Sequence, residues 1–453
     1  MASLDRNIVI IALPNIASDL HTSLLSLVWI AIGYWVVTAC VLLTFGRLAD
    51  MFGRVKLYNM GFVFFTIGSA LCSISNTGEN LIIFRIIQAL GAAFLFSNSA
   101  AILTDVFPEN ERGRALGLNQ VSIVIGSVAG LAFGGFLTSY LGWRSIFWVN
   151  IPIGIFAICW SYIKLKEFGT IKKEKIDWLG NITFAAGLFL LLIAITFGSF
   201  QIIKLYEVYI LIISSFTLFF LFYFIEKRIS KPMFDFDLFK ITRFNYGILA
   251  IFLNALARGA FTLVMAFYLQ GPTMRQSPLE AGIYLIPVSL ALAIFAPISG
   301  ILFDKYNLKI FTPLGLLLSA LGFFMLSDIG PTTSIYELAF PLILIGAGMG
   351  IFASPNRATI MNSVPSFRRG VAAGMSTMMV MTGSAFSIGL VFFIFIQYIP
   401  IHEAQSIFTS SVSILKYSND IYINNFLISL HSIFFISGIL MLISIVPSLT
   451  KKN

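Results

Sequence analysis

The chain has 453 residues, 58% of them hydrophobic and 11% charged, with a formal net charge of +9. A soluble domain carries about a quarter of its residues as charge, so a water-soluble enzyme is excluded. The basic balance needs no nucleic-acid partner, because loop topology and anionic lipid account for it.

Apolar runs between charged or Gly/Pro-rich breaks predict helices near residues 1–18, 26–48, 57–75, 80–104, 114–138, 144–163, 178–199, 207–226, 244–269, 281–303, 309–327, 336–361, 370–397 and 423–448. Fourteen bilayer spans of about 20 residues take about 280 residues, close to the apolar share of the chain. In the first run, Met1-Ala2-Ser3-Leu4-Asp5-Arg6 leaves an uninterrupted apolar stretch only from Ile8 to Pro14, so a helix lacking its first turns is expected there. Cys40, Cys72 and Cys159 stand singly in apolar runs, and His21, His402 and His431 are scattered. Neither set has metal or redox spacing, and no GxxxxGK[ST] loop occurs, so no metal, cofactor or enzymatic activity is expected.

Of the 29 Lys and Arg, 21 lie in alternate connections or the C-terminal tail, from Arg47, Arg54 and Lys56 through Arg112 and Arg114, Lys172, Lys173 and Lys175, Lys231 and Lys309 to Lys451 and Lys452. Only Lys204, Arg275 and Lys416 lie in the other connections. The positive-inside rule makes the first set cytoplasmic, and an even span count puts both termini there, in a multi-pass protein of the cell membrane.

Gly46-Arg47-Leu48-Ala49-Asp50 recurs at an offset of 254 as Gly300-Ile301-Leu302-Phe303-Asp304; Phe107-Pro108 with Gly113 and Gly117 recurs at 257 as Val364-Pro365 with Gly370 and Gly374. Two collinear matches at nearly one offset indicate duplicated halves. The predicted architecture is all-α: a six-helix bundle over residues 1–165, an inserted helix pair with basic flanks over 166–240, and a second six-helix bundle over 241–453.

Parallel six-helix repeats are the architecture of the major facilitator superfamily, and local motifs strengthen the resemblance. Gly46-Arg47-Leu48-Ala49-Asp50-Met51-Phe52-Gly53-Arg54 resembles that family's signature between helices 2 and 3, and Arg85-Ile86-Ile87-Gln88-Ala89-Leu90-Gly91 its helix 4 signature. Leu4-Asp5 with Ile8-Val9 through Ala12-Leu13-Pro14 resembles the helix 1 motif of the fourteen-span drug:proton antiporters. Gly142-Trp143-Arg144 with Phe147, Asn150, Pro152 and Gly154 is similar to that subfamily's opening of helix 6. In the helix 5 antiporter pattern Gly126, Gly130, Gly134 and Gly135 match, while Leu131 replaces a proline; Ala89 replaces a glycine, and Arg6 and Asn7 replace a small or polar pair.

The resemblance implies a secondary transporter that exchanges protons for amphipathic or cationic drugs across a midplane site. Asp5, the one carboxylate predicted deep in the hydrocarbon region, is the candidate proton carrier, with an N-terminal dipole partner at the surface as the alternative. Arg85 is implied in proton transfer, with snorkelling to the interface as the alternative. Gly46, Asp50, Gly53, Arg54 and Asp105 are implied as a cytoplasmic latch, Arg54 pairing with Asp105 and Asp50 facing the helix start near Gly370. Gln88, Asn98, Asn119, Asn254, Arg258, Met265, Tyr268, Asn356, Met379 and Phe386 are candidates for the substrate cavity. Arg258 stands near the middle of its span beside Asn254, tempers the expectation of a cationic substrate, and could pair with Asp5 in one state. Expected partners are a small-molecule substrate, protons and the bilayer, for a monomer. A transporter of one endogenous metabolite, exported or imported, is the second reading. A membrane-embedded enzyme on lipid-linked substrates would need an acidic or His cluster at one membrane face, and the acidic residues are dispersed.

Overall fold

Every apolar run read from the sequence is helical. The structure, a computed structural model, describes residues 1–167, 177–229, 232, 234–306, 310–365, 368–400 and 420–449. Lys172, Lys173, Lys175, Lys231, Lys309, Lys416, Lys451 and Lys452 lie outside the described residues, as do the side chains of Arg112, Arg114 and Asp304.

The helices are α1 Ala2–Asp19, α2 Leu24–Phe52, α3 Arg54–Ser73, α4 Gly78–Val106, α5 Glu109–Leu141, α6 Ser145–Trp148, α7 Asn150–Lys164, α8 Trp178–Ser199, α9 Leu205–Arg228, α10 Thr242–Arg258, α11 Phe261–Gln270, α12 Pro278–Tyr284, α13 Ile286–Tyr306, α14 Phe311–Leu326, α15 Ile335–Ser363, α16 Arg369–Tyr398 and α17 Asp420–Leu449. Local chemistry sets many of their ends. The Ser23 and Thr77 hydroxyls accept from the first-turn amides of Ser26 and Asn80, and Ser277 with Glu280 and Ser334 with Glu337 form capping boxes. Gly53 and Gly142, at φ +103° and +77°, take the left-handed backbone that stops α2 and α5.

Twelve helices among the described residues are long and apolar enough to cross a membrane, counting α6–α7, α10–α11 and α12–α13 each as one. The sequence reading expects fourteen. The two that fall short are α1, which carries Asp5, Arg6 and Asp19 within 18 residues, and α14, which has 16 residues.

Helix pairing follows one pattern twice. In the first set α1 packs on α5, α2 and α7 pack on α4 and α3 respectively, and α3 packs on α4; in the second α10 packs on α16, α13 and α14 both pack on α15, and α17 packs on α14. The two sets meet where α2 faces α16, where α5 faces α12 and α13, and where α1 faces α11. Helix α8 lies across the α2–α16 seam: Asn181 donates to the Cys40 carbonyl at 2.9 Å, and the Phe200 and Phe392 rings stand 6.2 Å apart. Helix α9 packs on α8 and turns Ile213, Phe216 and Phe220 outward, as expected of a helix whose outer face meets lipid.

Small residues set the closest approach. A Cβ on Gly126 would sit 2.7 Å from Ser3 Oγ, on Gly130 2.5 Å from the Leu4 carbonyl oxygen, and on Gly134 2.9 Å from Ile8 Cγ1. The ridge of glycines at every fourth position therefore lets α5 touch the backbone of α1. Through this contact α1 is held where it can present Asp5.

Candidate functional site

Asp5 is fully buried on α1, and both of its carboxylate oxygens are taken. Oδ2 accepts from Arg85 Nη1 at 2.6 Å, while Oδ1 accepts from Gln88 Nε2 and from Asn150 Nδ2, each at 2.8 Å. Arg85 and Gln88 lie three residues apart on α4, hence on one face, and Asn150 opens α7. Arg85 also donates to Gln88 Oε1 at 2.6 Å, and Gln88 donates to Ser69 Oγ on α3 at 2.8 Å. The Arg85 guanidinium lies 4.5 Å from the Tyr34 ring centroid on α2, and the Tyr34 hydroxyl donates to the Ala2 carbonyl at 3.4 Å. Five helices thus converge on one ion pair whose members are 0% and 3% exposed.

Arg85 is therefore an interior cation and does not reach out to an interface. Among the described residues its Nε has no hydrogen-bond partner, and neither does Asn150 Oδ1. Two polar atoms in this network are left for another arrangement of it. An isolated charge at the bilayer centre costs about 2.5–3.5 kcal/mol or more, so pairing and neutralisation are the two ways this carboxylate can be accommodated.

A second cluster joins α2, α3 and α4. Arg54 donates through Nε to Asp50 at 2.8 Å and through Nη1 to Asp105 at 2.7 Å. Asp50 makes no bond to the start of α16 among the described residues, and the space around Gly370 is open. The expected contact between them is absent from this arrangement. Gly46 lies 3.8 Å from Ser97 by a built Cβ, an ordinary contact, whereas a Cβ on Gly53 would come within 2.7 Å of Glu167 Oε2. Glu167, which no sequence signal singles out, accepts from the amides of Arg54 at 3.0 Å and Val55 at 2.9 Å, placing an anion on the positive end of α3.

The helix 5 glycines divide. Gly126, Gly130 and Gly134 face α1, while Gly135 faces Leu279 of α12, where the Leu279 amide donates to Ser139 Oγ at 3.0 Å. Leu131 is buried where the pattern has proline, and α5 runs unbroken through it.

The cavity candidates separate into packed and accessible residues. Met265 and Tyr268 are fully buried, and the Tyr268 hydroxyl bonds the Gly330 carbonyl and Thr333, each at 2.9 Å. Asn98 donates to the Phe94 carbonyl within α4, Asn119 links α5 to Ser99 of α4, and Asn356 links α15 to the Gly247 carbonyl of α10. Met265, Tyr268, Asn98 and Asn356 are thus buried between packed helices, while Asn119 is half-buried. Met379 and Phe386 are half-buried on α16, with the Phe386 ring 6.5 Å from that of Phe252.

Arg258 is half-buried at the C-terminus of α10. It donates through Nε to Asn254 Oδ1 at 2.8 Å, and Asn254 is anchored on Met441 of α17. In this arrangement Arg258 is not paired with Asp5, whose oxygens are taken by Arg85, Gln88 and Asn150. Arg6 is half-buried and lies 4.8 Å from the Trp35 ring centroid. Neither Arg6 nor Arg258 has a carboxylate partner among the described residues.

At the other end of α1, Asp19 accepts from Trp143 Nε1 at 2.8 Å and Arg144 Nη1 at 2.6 Å, and Arg144 also bonds the Ser75 carbonyl at 3.1 Å. The Gly142-Trp143-Arg144 motif thus ties α1 and α3 to the α5–α6 turn.

Residues 1–388 match the family described as Major Facilitator Superfamily. The chain is 33% identical over 399 residues to the riboflavin transporter RibZ of Clostridioides difficile (strain 630), covering 87% of this chain and 84% of that protein. It is 31% identical over 383 residues to multidrug resistance protein 3 of Bacillus subtilis (strain 168), covering 82% and 72%. Among solved structures, a bacterial homolog of the human lysosomal transporter Spinster, in an inward-facing and occupied conformation, superposes with a TM-score of 0.66. It does so at 15% identity, over 99% of this chain and 93% of that one.

Proposed function

The chain belongs to the Major Facilitator Superfamily, and from that membership we propose that it is a proton-coupled exporter of amphipathic small molecules, working by alternating access in the cell membrane. The observation that carries this reading is the buried Asp5, held by Arg85, Gln88 and Asn150. In the ionised state the carboxylate satisfies three donors and locks α1 to α4 and α7. A proton on Asp5 removes the charge that holds Arg85, and the Arg85–Gln88 bond and the Tyr34 ring remain to receive the guanidinium. The pair therefore has two states that differ by one proton, which is what coupling requires.

Residues 1–165 and 241–453 are read as the two six-helix halves and 166–240 as the insert, supported by the repeated helix pairing. With α1 and α14 counted as crossings the chain spans fourteen times, and its basic connections put both termini in the cytoplasm. The Arg54 cluster then stands at the cytoplasmic end of the first half without bridging to the second, and the α5–α12 contact joins the halves at the outer end. The protein acts as a monomer. Relatives are named for multidrug resistance and for riboflavin transport, so both a broad and a narrow substrate range have precedent.

Efflux of ethidium and of fluorescein from pump-deficient cells tests the coupling. Uncoupler-sensitive efflux of at least one dye is expected from the wild type, and none above background from Asp5→Asn at equal membrane abundance. Wild-type efflux rates from Asp5→Asn would contradict the reading.

A further inference from the structure

We propose that Ser69 on α3 is a positioning residue for the Asp5 proton: it keeps the Gln88 amide turned as a donor toward Asp5 Oδ1, so that the proton enters on Oδ2, the oxygen that holds Arg85. The proposal rests on the coupling reading above and names the residue that fixes where the proton goes.

Ser69 is fully buried, and its hydroxyl donates its one hydrogen to the Phe65 carbonyl a turn earlier, at 2.8 Å. The oxygen can therefore only accept, and it accepts from Gln88 Nε2 at 2.8 Å. The other end of the same amide meets Arg85, which has donors and no acceptor, so Oε1 is the atom that faces Nη1 at 2.6 Å. Ser69 and Arg85 thus fix both ends of Gln88, and the Ser69 constraint is the same whether or not Asp5 carries a proton.

The backbone brings the hydroxyl into reach. A Cβ on Gly68 would come within 2.6 Å of the Gln88 amide nitrogen and Cα, so α3 touches the main chain of α4 at the residue that Ser69 holds. Two turns earlier, a Cβ on Gly61 would sit 2.8 Å from Phe94 Cβ and 3.1 Å from the Gly91 carbonyl oxygen. Helix α3 is therefore seated on α4 along this whole stretch.

With Gln88 Nε2 and Asn150 Nδ2 each 2.8 Å from Oδ1, both lone pairs of that oxygen are filled. An added proton goes to Oδ2, where Arg85 Nη1 stands at 2.6 Å. A hydroxyl oxygen accepts far more weakly than a carboxylate oxygen, so the Arg85 bond loosens, while the Gln88 and Asn150 bonds to the remaining carbonyl oxygen stay. The guanidinium keeps Gln88 Oε1 and the Tyr34 ring. Without the Ser69 acceptor the amide is free to turn, and Oε1 then accepts from the carboxylic acid. The neutral acid gains a partner and Arg85 loses one.

Among the described residues, the charged and titratable groups that act on Asp5 are Arg85 on α4, Tyr34 on α2, Cys72 on α3 and the Met1 amine on its own side. The stretch of α5 opposite α1 here carries Gly126, Ser127 and Gly130, α7 brings Asn150, and α11 meets α1 farther along, at Ile11. Replacing Ser69 alters none of these groups, so a changed titration reports the Gln88 amide.

Infrared difference spectra of the purified full-length chain in detergent, taken across a pH series, give the carbonyl stretch of protonated Asp5, identified by its absence from Asp5→Asn. The pH at which this band is half developed should rise by about one unit, tenfold in proton concentration, in Ser69→Ala, and should stay near the wild-type value in Ser69→Thr, which keeps the hydroxyl. In a Gln88→Leu background, Ser69→Ala should move it no further. On the unsubstituted chain the band should lie at the low-frequency end of the range for protonated carboxyls, because Oδ1 accepts two hydrogen bonds, which keeps the test valid if a variant misfolds. No band at any pH, no shift in Ser69→Ala, an equal shift in Ser69→Thr, a shift that persists without Gln88, or a wild-type band at the high-frequency end would each overturn the proposal. Failure of the coupling reading shows separately, as efflux by Asp5→Asn. Failure of this proposal alone shows as an Asp5 band indifferent to Ser69 in a chain whose efflux still needs Asp5.

Discussion

Asn150 supplies one of three donors to a carboxylate that has no access to water. Removing it leaves Asp5 Oδ1 with Gln88 alone, and Asn150→Ala is expected to lower stability by about 1–3 kcal/mol, read as an earlier melting transition in detergent. Asn150→Asp should be worse, because it sets a second carboxylate against Asp5. Equal melting of all three chains would show that the bond in the structure contributes nothing. Asp5, Arg85 and Gln88 are legible in the sequence from motif resemblance and three-residue spacing. The partner of Arg85 is not, since a pairing across 80 residues leaves no periodic trace, and sequence alone left Arg85 between interior and interface. Arg6 reads only as a departure from a pattern, and Glu167 leaves no signal, because a loop carboxylate on a helix end depends on the fold that brings it there.

At the scale of the element, every apolar run is legible because bilayer helices need long uninterrupted hydrophobic stretches. The breaks inside those runs are less so. The α10–α11 break falls at Arg258-Gly259-Ala260, where neither proline nor a polar run announces it; tertiary packing of Gly259 on α16 sets it. The glycine ridge on α5 reads from the sequence as a packing feature, and the structure supplies its partner, α1. Gly130→Ala forces a methyl to 2.5 Å from the Leu4 carbonyl oxygen and should cost about 1–3 kcal/mol as overpacking, with lower expression and an earlier melting transition. Gly33→Ala, with nothing within 4 Å of its added methyl, should be tolerated. Equal loss from the two substitutions would remove the α1–α5 contact as the cause.

At the scale of the molecule, twelve apolar helices among the described residues, a twofold pairing pattern and a family match over residues 1–388 describe a transporter, and the charge of its cargo sets its energetics. One proton entering per monovalent cation leaving moves no net charge, so only the pH difference of about 1.36 kcal/mol per unit drives it. One proton entering per monoanion leaving moves two charges, and each adds about 2.3 kcal/mol per 100 mV. An anion leaving in exchange for a proton therefore draws on both parts of the proton gradient, whereas a monovalent cation draws on one.

The most direct measurement places the full-length chain in proteoliposomes with an internal pH dye, no initial pH difference, and an imposed gradient of whichever cargo the wild type exports, ethidium or fluorescein. The account predicts that the wild type moves protons against the cargo flow, building a pH difference, and that Asp5→Asn builds none. Cargo flow without proton movement in the wild type, or equal proton movement in Asp5→Asn, would contradict it.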